Sequence, residues 1–253
     1  MIVKTEAVVL RGMKYKETSK ILTLYTREYG KLSVIAKGCR GPKSTFGSSL
    51  EPMNYVAAVL YKKDDRDLQL LTQCDVIKPF RHLSEDMERL HAAMTIVAML
   101  ERATHPEENN ERLFTMTVES LEVINDATMN SVHVLYKFEM VLLDLLGFRP
   151  NFHVCHTCQT VLRSVTTAGL HLASGGVLCA SCARNWAGDG TISGPTLRAL
   201  QHLQEADRIS EVTSYPMPTQ IRNEVQGVLR KYLQRHVGGL EVLKTEEVFA
   251  ALL

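Results

Sequence analysis

The sequence predicts an α+β, multi-domain protein: a small five-stranded β-barrel over residues 1–80, then an all-helical domain over 81–253 that carries an inserted cysteine module at about 151–186. Three observations predict it. Apolar residues alternate with polar ones as far as Pro79, the apolar period turns helical beyond it, and two Cys-x-x-Cys pairs interrupt the helical part.

Five short runs carry the alternation. They are Val8 and Leu10; Leu22 and Leu24; Leu32, Val34 and Ala36; Val56, Ala58 and Leu60; and Leu68, Leu70 and Cys74. A period of two puts one set of side chains on a core face and leaves the other to solvent. Five such strands in eighty residues suit a closed barrel, and the oligonucleotide-binding (OB) type fits the length. An SH3-like barrel is the competitor, and alternation does not separate the two.

After Pro79, Ser84 offers an N-cap followed by Glu85 and Asp86 in a favourable first turn. Leu90, Met94, Val97 and Met99 stripe that first helix. A second is predicted over about 107–125 with Leu113, Met116, Leu121 and Ile124 apolar. A third, over about 131–146, is striped by Leu135, Phe138, Leu142 and Leu145. Gly147 and Pro150 then provide a left-handed cap and a stop. Gly194-Pro195 reopens helix, with further helices near 195–206 and 219–236. No apolar run approaches the roughly 20 residues of a membrane helix, and Asp144 interrupts the most apolar stretch, Met140 to Leu146.

Cys155, Cys158, Cys179 and Cys182 form a C-x2-C-x20-C-x2-C array. Two thiolate pairs at this spacing converge on one tetrahedral zinc and fill its coordination sphere, so the metal braces the fold and has no open position for chemistry. Disulfides are the alternative. Lys4, Glu6 and Arg11 break the N-terminal apolar residues, so a signal-peptide core is absent there and a reducing cytoplasm is expected. His153 and His156 flank the first pair and are expected to pack or face solvent. A deaminase-type catalytic zinc needs His-x-Glu and Pro-Cys-x-x-Cys, but Leu178 precedes Cys179 and Val154 precedes Cys155.

A formal net charge of +1 conceals an asymmetry: residues 1–80 carry +6, residues 81–148 carry −7, and the remainder is nearly balanced. A polyanion is therefore expected on the N-terminal eighty residues. Lys37-Gly38-Cys39-Arg40-Gly41-Pro42-Lys43-Ser44 places three cations and two glycines after a predicted strand, which suits phosphate contact, although a solvated basic turn has the same composition. Pro42 breaks the nucleotide-binding P-loop pattern, so ATP hydrolysis is not expected. Cys39 in this loop reads as a small buried filler.

Lys14, Lys16 and Lys20 surround Tyr15 between the first two strands, and Tyr25, Tyr29, Phe46, Tyr55 and Tyr61 are spread through the same domain. Tyr15, in a charged turn, is the ring singled out for stacking on a base. The acidic helical segment reads either as a solvated face or as a surface for partner proteins. An acidic partner tail would have to find cations such as Arg222, Arg230, Lys231 and Arg235.

The opening Val3-Lys4-Thr5-Glu6-Ala7-Val8-Val9-Leu10, then Tyr15-Lys16-Glu17, Leu22-Thr23-Leu24-Tyr25-Thr26, Gly30-Lys31, the basic loop from Lys37, Leu146-Gly147-Phe148-x-Pro150 and the late cysteine array follow one another in an order that resembles the bacterial RecO recombination mediators, in their zinc-containing subgroup. That resemblance spans essentially the whole chain. It implies an OB-fold protein that is not an enzyme, binds single- and double-stranded DNA without ATP, anneals strands, and helps load RecA onto DNA coated with single-stranded-DNA-binding protein. RecR and that protein's C-terminal tail are the implied partners, and a cytoplasmic, nucleoid-associated location follows. It also implies that Lys37, Arg40 and Lys43 lie in a DNA-contacting loop and that the four cysteines are zinc ligands. The rival readings are a zinc-stapled interaction scaffold or a transcription regulator, with a metal hydrolase last.

Overall fold

The computed structural model describes residues 1–185 and 188–240. The expected end of the cysteine module at Trp186 and the expected reach of the helical domain to Leu253 lie outside the described residues. By chain contacts the described residues divide into two compact units, one of residues 1–127 and one of residues 128–240.

In the first unit, β1 (Ile2–Tyr15), β2 (Ser19–Thr26), β3 (Gly30–Ala36), β4 (Tyr55–Tyr61) and β5 (Leu68–Lys78) close into a barrel of order β1-β2-β3-β5-β4. The pairs are antiparallel except β3 with β5, and β1 pairs with both β2 and β4. This closure decides for the OB type, because the long β1 bridges both halves of the sheet while the chain crosses over between β3 and β4. Ala7, Val9, Leu22, Leu24, Val34, Val56, Ala58 and Leu60 fill the interior.

Two strands depart from the expected phase: in β1 Ala7 and Val9 face the interior, while Val8 and Leu10 are buried outside it next to a bulge between Val9 and Arg11, and the fifth strand reverses the phase outright. Leu68 is 38% exposed and Leu70 half-buried, while Gln69 and Leu71 point inward. Gln69 is accommodated because the Lys63 N–H donates to its Oε1 at 2.8 Å and its Nε2 donates to the Lys63 carbonyl at 2.8 Å. The register shifts between Val59 and Leu60 on the partner strand, where the facing residue jumps from Gln73 to Leu71, and Cys74 returns to the core. Alternation across a bulge carries no phase information, which is why the sequence misassigns this strand.

Two helices follow in the same unit. α1 (Met87–Ala103) starts later than expected. Asp86, not Ser84, is the N-cap, its side chain accepting from the Arg89 N–H, and Ser84 ends a short 3-10 turn, Arg81–Ser84. α2 (Glu111–Asn125) is capped by Asn110, which accepts from the Leu113 N–H. Phe114 of α2 is fully buried, 6.2 Å from the Tyr25 ring and 6.3 Å from the Tyr55 ring, with the Arg27 guanidinium 4.9 Å from its centroid. Lys31 closes the other helix, donating from Nζ to the Glu101 carbonyl at 2.6 Å and to that of Thr104, a cation set on the negative end of α1. Gly30 beside it has φ +62°, and a Cβ there would stand 2.2 Å from the Glu108 carbonyl oxygen.

The second unit contains α3 (Ser131–Leu145), β6 (Asn151–Cys155), β7 (Thr167–His171), β8 (Gly176–Leu178), α4 (Ala180–Ala183), β9 (Thr191–Ser193), α5 (Gly194–Glu205) and α6 (Thr219–His236). α3 is capped by Asn130 and ends at Gly147, φ +84°, where the Phe148 N–H returns to the Leu143 carbonyl at 2.8 Å. Buried Lys137 of α3 donates to the carbonyls of Leu203 and Ala206 and closes the C-terminus of α5 as Lys31 closes α1. Ser193 caps α5, with Pro195 in its first turn. The four short strands form a sheet of order β6-β8-β7-β9, a feature not foreseen from the sequence. Among the described residues, no helix is long and apolar enough to cross a membrane.

Candidate metal centre and nucleic-acid interface

The cysteine module is built on that small sheet. β6 delivers Cys155, and the chain turns back at once: the Gln159 N–H donates to the Cys155 carbonyl at 2.9 Å and the Cys155 N–H to the Thr160 carbonyl at 2.8 Å. Gln159 takes φ +59° to make this knuckle. After β8, Cys179 caps α4 and Cys182 follows one turn later, with the Ala183 N–H donating to the Cys179 carbonyl. The parallel pairing of β6 with β8 brings the knuckles together.

All four Sγ atoms lie within 4.8 Å of one another, and Cys158 Sγ stands 3.7 Å from Cys179 Sγ. A regular tetrahedron with metal–sulfur bonds of about 2.3 Å has sulfur–sulfur edges of about 3.8 Å, so the donor set fits a tetrahedral, thiophilic ion. Cys155 is buried and Cys158 exposed. Burial raises the Cys155 thiol, but backbone N–H groups of Cys158, Cys179 and Thr157 aimed at its sulfur more than offset this and bring it below the ordinary value. Hydrogen bonding from Thr160 first, and then from the neighbouring thiols, brings Cys158 down to about 6. The histidines are engaged elsewhere: His156 stacks on His171 at 4.7 Å, and His153 Nδ1 lies 3.5 Å from Glu205 Oε1. Four thiolates around a divalent ion leave a local charge of about −2, which repels phosphate.

The basic loop follows β3 of the barrel. β3 ends at Ala36, and Gly38, φ +68°, turns the chain. The Gly41 N–H then donates to the Gly38 carbonyl and the Ser44 N–H to that of Gly41. The Arg40 N–H donates to the Thr18 carbonyl at 2.9 Å, and its guanidinium reaches the Lys16 carbonyl at 3.4 Å. These bonds fasten the loop to the tip of the β1–β2 hairpin and so bring Lys14, Tyr15 and Lys16 together with Lys37, Arg40 and Lys43. All six side chains are exposed. Among the described residues, Lys14, Lys37 and Lys43 make no ion pair, whereas Lys20 is held by Glu51 at 2.8 Å.

Tyr15 is the last residue of β1, opposite Ser19, 38% exposed, with Lys16 Nζ 5.4 Å from its ring centroid. Of the other rings, Tyr25 and Tyr55 are buried, Tyr29 and Phe46 pack on the barrel core, and Tyr61 is 43% exposed. Cys39 is half-buried against that core and stands apart from the metal cluster. Arg222, Arg230, Lys231 and Arg235 all lie on α6.

An OB-type barrel with a cationic edge, followed by a largely helical part in which four cysteines could hold a metal ion, defines the class of arrangement. The family described as "Recombination protein O N terminal" matches residues 1–80, and "Recombination protein O C terminal" matches residues 84–246. The chain belongs to the RecO family. It is 31% identical to the DNA repair protein RecO of Chloroherpeton thalassium over 260 residues, covering all of both chains. It is 34% identical to that of Salinibacter ruber over 92% of this chain and 87% of the relative. To the protein of the same name from Chlorobaculum parvum it is 42% identical over 155 residues, 61% of this chain and 60% of the relative.

Proposed function

We propose that this chain acts in DNA repair and homologous recombination as a mediator that binds single- and double-stranded DNA without ATP, anneals complementary strands and assists RecA loading on DNA coated with single-stranded-DNA-binding protein. Membership in the RecO family supports the repair and recombination role. RecR and the C-terminal tail of the single-stranded-DNA-binding protein are its proposed partners, in a cytoplasmic, nucleoid-associated setting. It works by binding and is not an enzyme.

The observation that carries the DNA-binding reading is the fastening of the Lys37–Ser44 loop to the Tyr15–Thr18 hairpin tip, which gathers Lys14, Lys16, Lys37, Arg40 and Lys43 on one barrel edge. An annealing protein must screen two phosphate backbones while leaving bases free to search, so contacts to phosphate should outweigh contacts to base edges. Flexible lysines and a fork of guanidinium donors do this without reading sequence. The four-cysteine centre takes one structural zinc, held by Cys155, Cys158, Cys179 and Cys182, whose part is to hold the knuckles to the sheet.

Annealing of complementary oligonucleotides by the purified protein, without nucleotide and with the strands either naked or precoated by single-stranded-DNA-binding protein, tests the proposal. The wild-type chain accelerates annealing, and a Lys37→Ala, Arg40→Ala, Lys43→Ala triple variant loses most of the acceleration. A wild-type chain that neither retains nor anneals DNA would leave the interaction-scaffold reading in its place.

A further inference from the structure

Strand register lines up a row of apolar residues across the outside of the barrel. Met13 pairs with Ile21, Ile21 with Ile35, Ile35 with Leu70, Leu70 with Tyr61, and Tyr61 with Ile2. Successive residues of a strand face opposite sides, and the neighbours Leu22, Val34, Leu71, Leu60 and Val3 belong to the interior cluster. The row therefore faces out: Met13 is 51% exposed, Tyr61 43% and Ile2 70%, with Ile21, Ile35 and Leu70 half-buried between them. From Met13 to Tyr61 it crosses five strands, roughly 19 Å at about 4.8 Å per step.

Cations bracket this row. At one end Tyr15 continues β1 on the same face, two residues past Met13, with Lys16 beside its ring, and Lys37 stands two residues past Ile35. At the other end Lys63 Nζ lies 5.9 Å from the Tyr61 centroid. An apolar track with ring–cation pairs at both ends matches a strand whose bases present flat apolar faces and whose phosphates lie alongside. A duplex hides those faces in its stack and has nothing to offer the track.

We propose that the outward row Met13–Ile21–Ile35–Leu70–Tyr61 is a base-contacting track that adds affinity for single strands which duplex nucleic acid does not gain. The proposal rests on the DNA-binding reading above and adds to it a second surface, distinct in chemistry from the basic loop. The loop supplies charge and salt dependence, while the track supplies contact with unstacked bases that no phosphate backbone can replace. Tyr61 is its principal aromatic platform.

The test is equilibrium binding of the full-length protein, followed by fluorescence anisotropy, to three probes: oligothymidylate, an abasic strand of equal length and a hairpin duplex. A Met13→Ser, Tyr61→Ser double variant, both positions exposed, is expected to bind oligothymidylate at least tenfold more weakly, with duplex and abasic affinities within twofold of the parent and the salt slope unchanged. Tyr61→Phe retains the ring and is expected to bind as the parent does. Unchanged oligothymidylate affinity in the double variant would overturn the proposal and leave the row to a protein partner. An equal fall for all three probes would also overturn it, because the change would then act through the shared phosphate site. Failure of the parent to bind any probe would instead remove the DNA-binding reading itself.

Discussion

Removal of the metal tests the brace directly. The donor set is geometrically complete, with all four sulfurs within 4.8 Å, so a thiophilic ion would bind a site that folding has assembled and its binding free energy would add to folding. Isolated zinc-finger peptides gain about 10–16 kcal/mol in this way. Here the loss should be smaller, because the module has packing of its own: Phe152, Leu162, Leu170, Val177, Leu178 and Ile192 are all buried, and Phe152 meets Tyr232 edge-on at 5.9 Å. A site held a thousandfold above its Kd contributes about 4 kcal/mol, and we expect at least that much to disappear from the second unit on chelation. Urea unfolding followed by far-UV circular dichroism, with and without chelator, reads the change. The barrel transition should stay in place while the other moves to lower denaturant. Metal must compete with protons for the thiolates, so affinity weakens as pH falls. Superimposable unfolding curves, or freshly purified reduced protein containing no metal, would refute the reasoning.

Two further outcomes concern the first unit. Gly30→Ala forces a Cβ to 2.2 Å from the Glu108 carbonyl oxygen at φ +62° and should cost about 2–5 kcal/mol in urea unfolding; a loss below about 1 kcal/mol would mean that the Glu108 backbone yields freely. The Tyr55 hydroxyl donates to Glu6 Oε2 at 2.7 Å and, helped by Arg27 at 2.6 Å and opposed by burial, holds the Glu6 carboxyl below its ordinary value. A carboxyl lowered by folding contributes stability above its unfolded pKa and loses it as pH falls through the folded one. Glu6→Gln should therefore cost roughly 1 kcal/mol at pH 7, a modest figure because the pair is partly exposed, and the difference should shrink as pH falls below the ordinary carboxylate range and through the lowered folded value; a pH-independent difference would contradict this.

The barrel was legible because β2, β3 and β4 place the expected alternate residues in the interior, and the cysteine module because thiolate spacing is chemically specific; β1 was not in phase, since Ala7 and Val9 face the interior while Val8 and Leu10 are buried outside it, beside a bulge at Val9. β5 was not, since the bulge that returns Cys74 to the core moves Leu68 and Leu70 to the surface. The sheet of the metal module escaped notice because its strands run three to five residues, too short for alternation to register. Asp86 and Ser84 are both good caps, and only tertiary packing chooses between them.

The six residues proposed to face DNA were visible as composition, but the hydrogen bonds from Arg40 that gather them join segments more than twenty positions apart and leave no trace in sequence. The same holds for the rings. Tyr15, Tyr25, Tyr55 and Tyr61 look alike as letters, and their exposures separate them. The outer row emerges only from register, since Met13, Ile21, Ile35, Leu70 and Tyr61 come from five different strands.

The central claim is that cations on the barrel edge grip phosphates, and the salt dependence of binding to a random-sequence single strand tests it most directly. Five contacting cations give a slope of log K against log salt of about −3.5, or roughly a hundredfold weaker binding at 200 mM than at 50 mM salt. Lys37→Ala with Arg40→Ala should flatten that slope by more than one unit, about 0.7 for each lost phosphate contact. A double variant with the slope and affinity of the parent would place the phosphate contacts elsewhere and contradict the account.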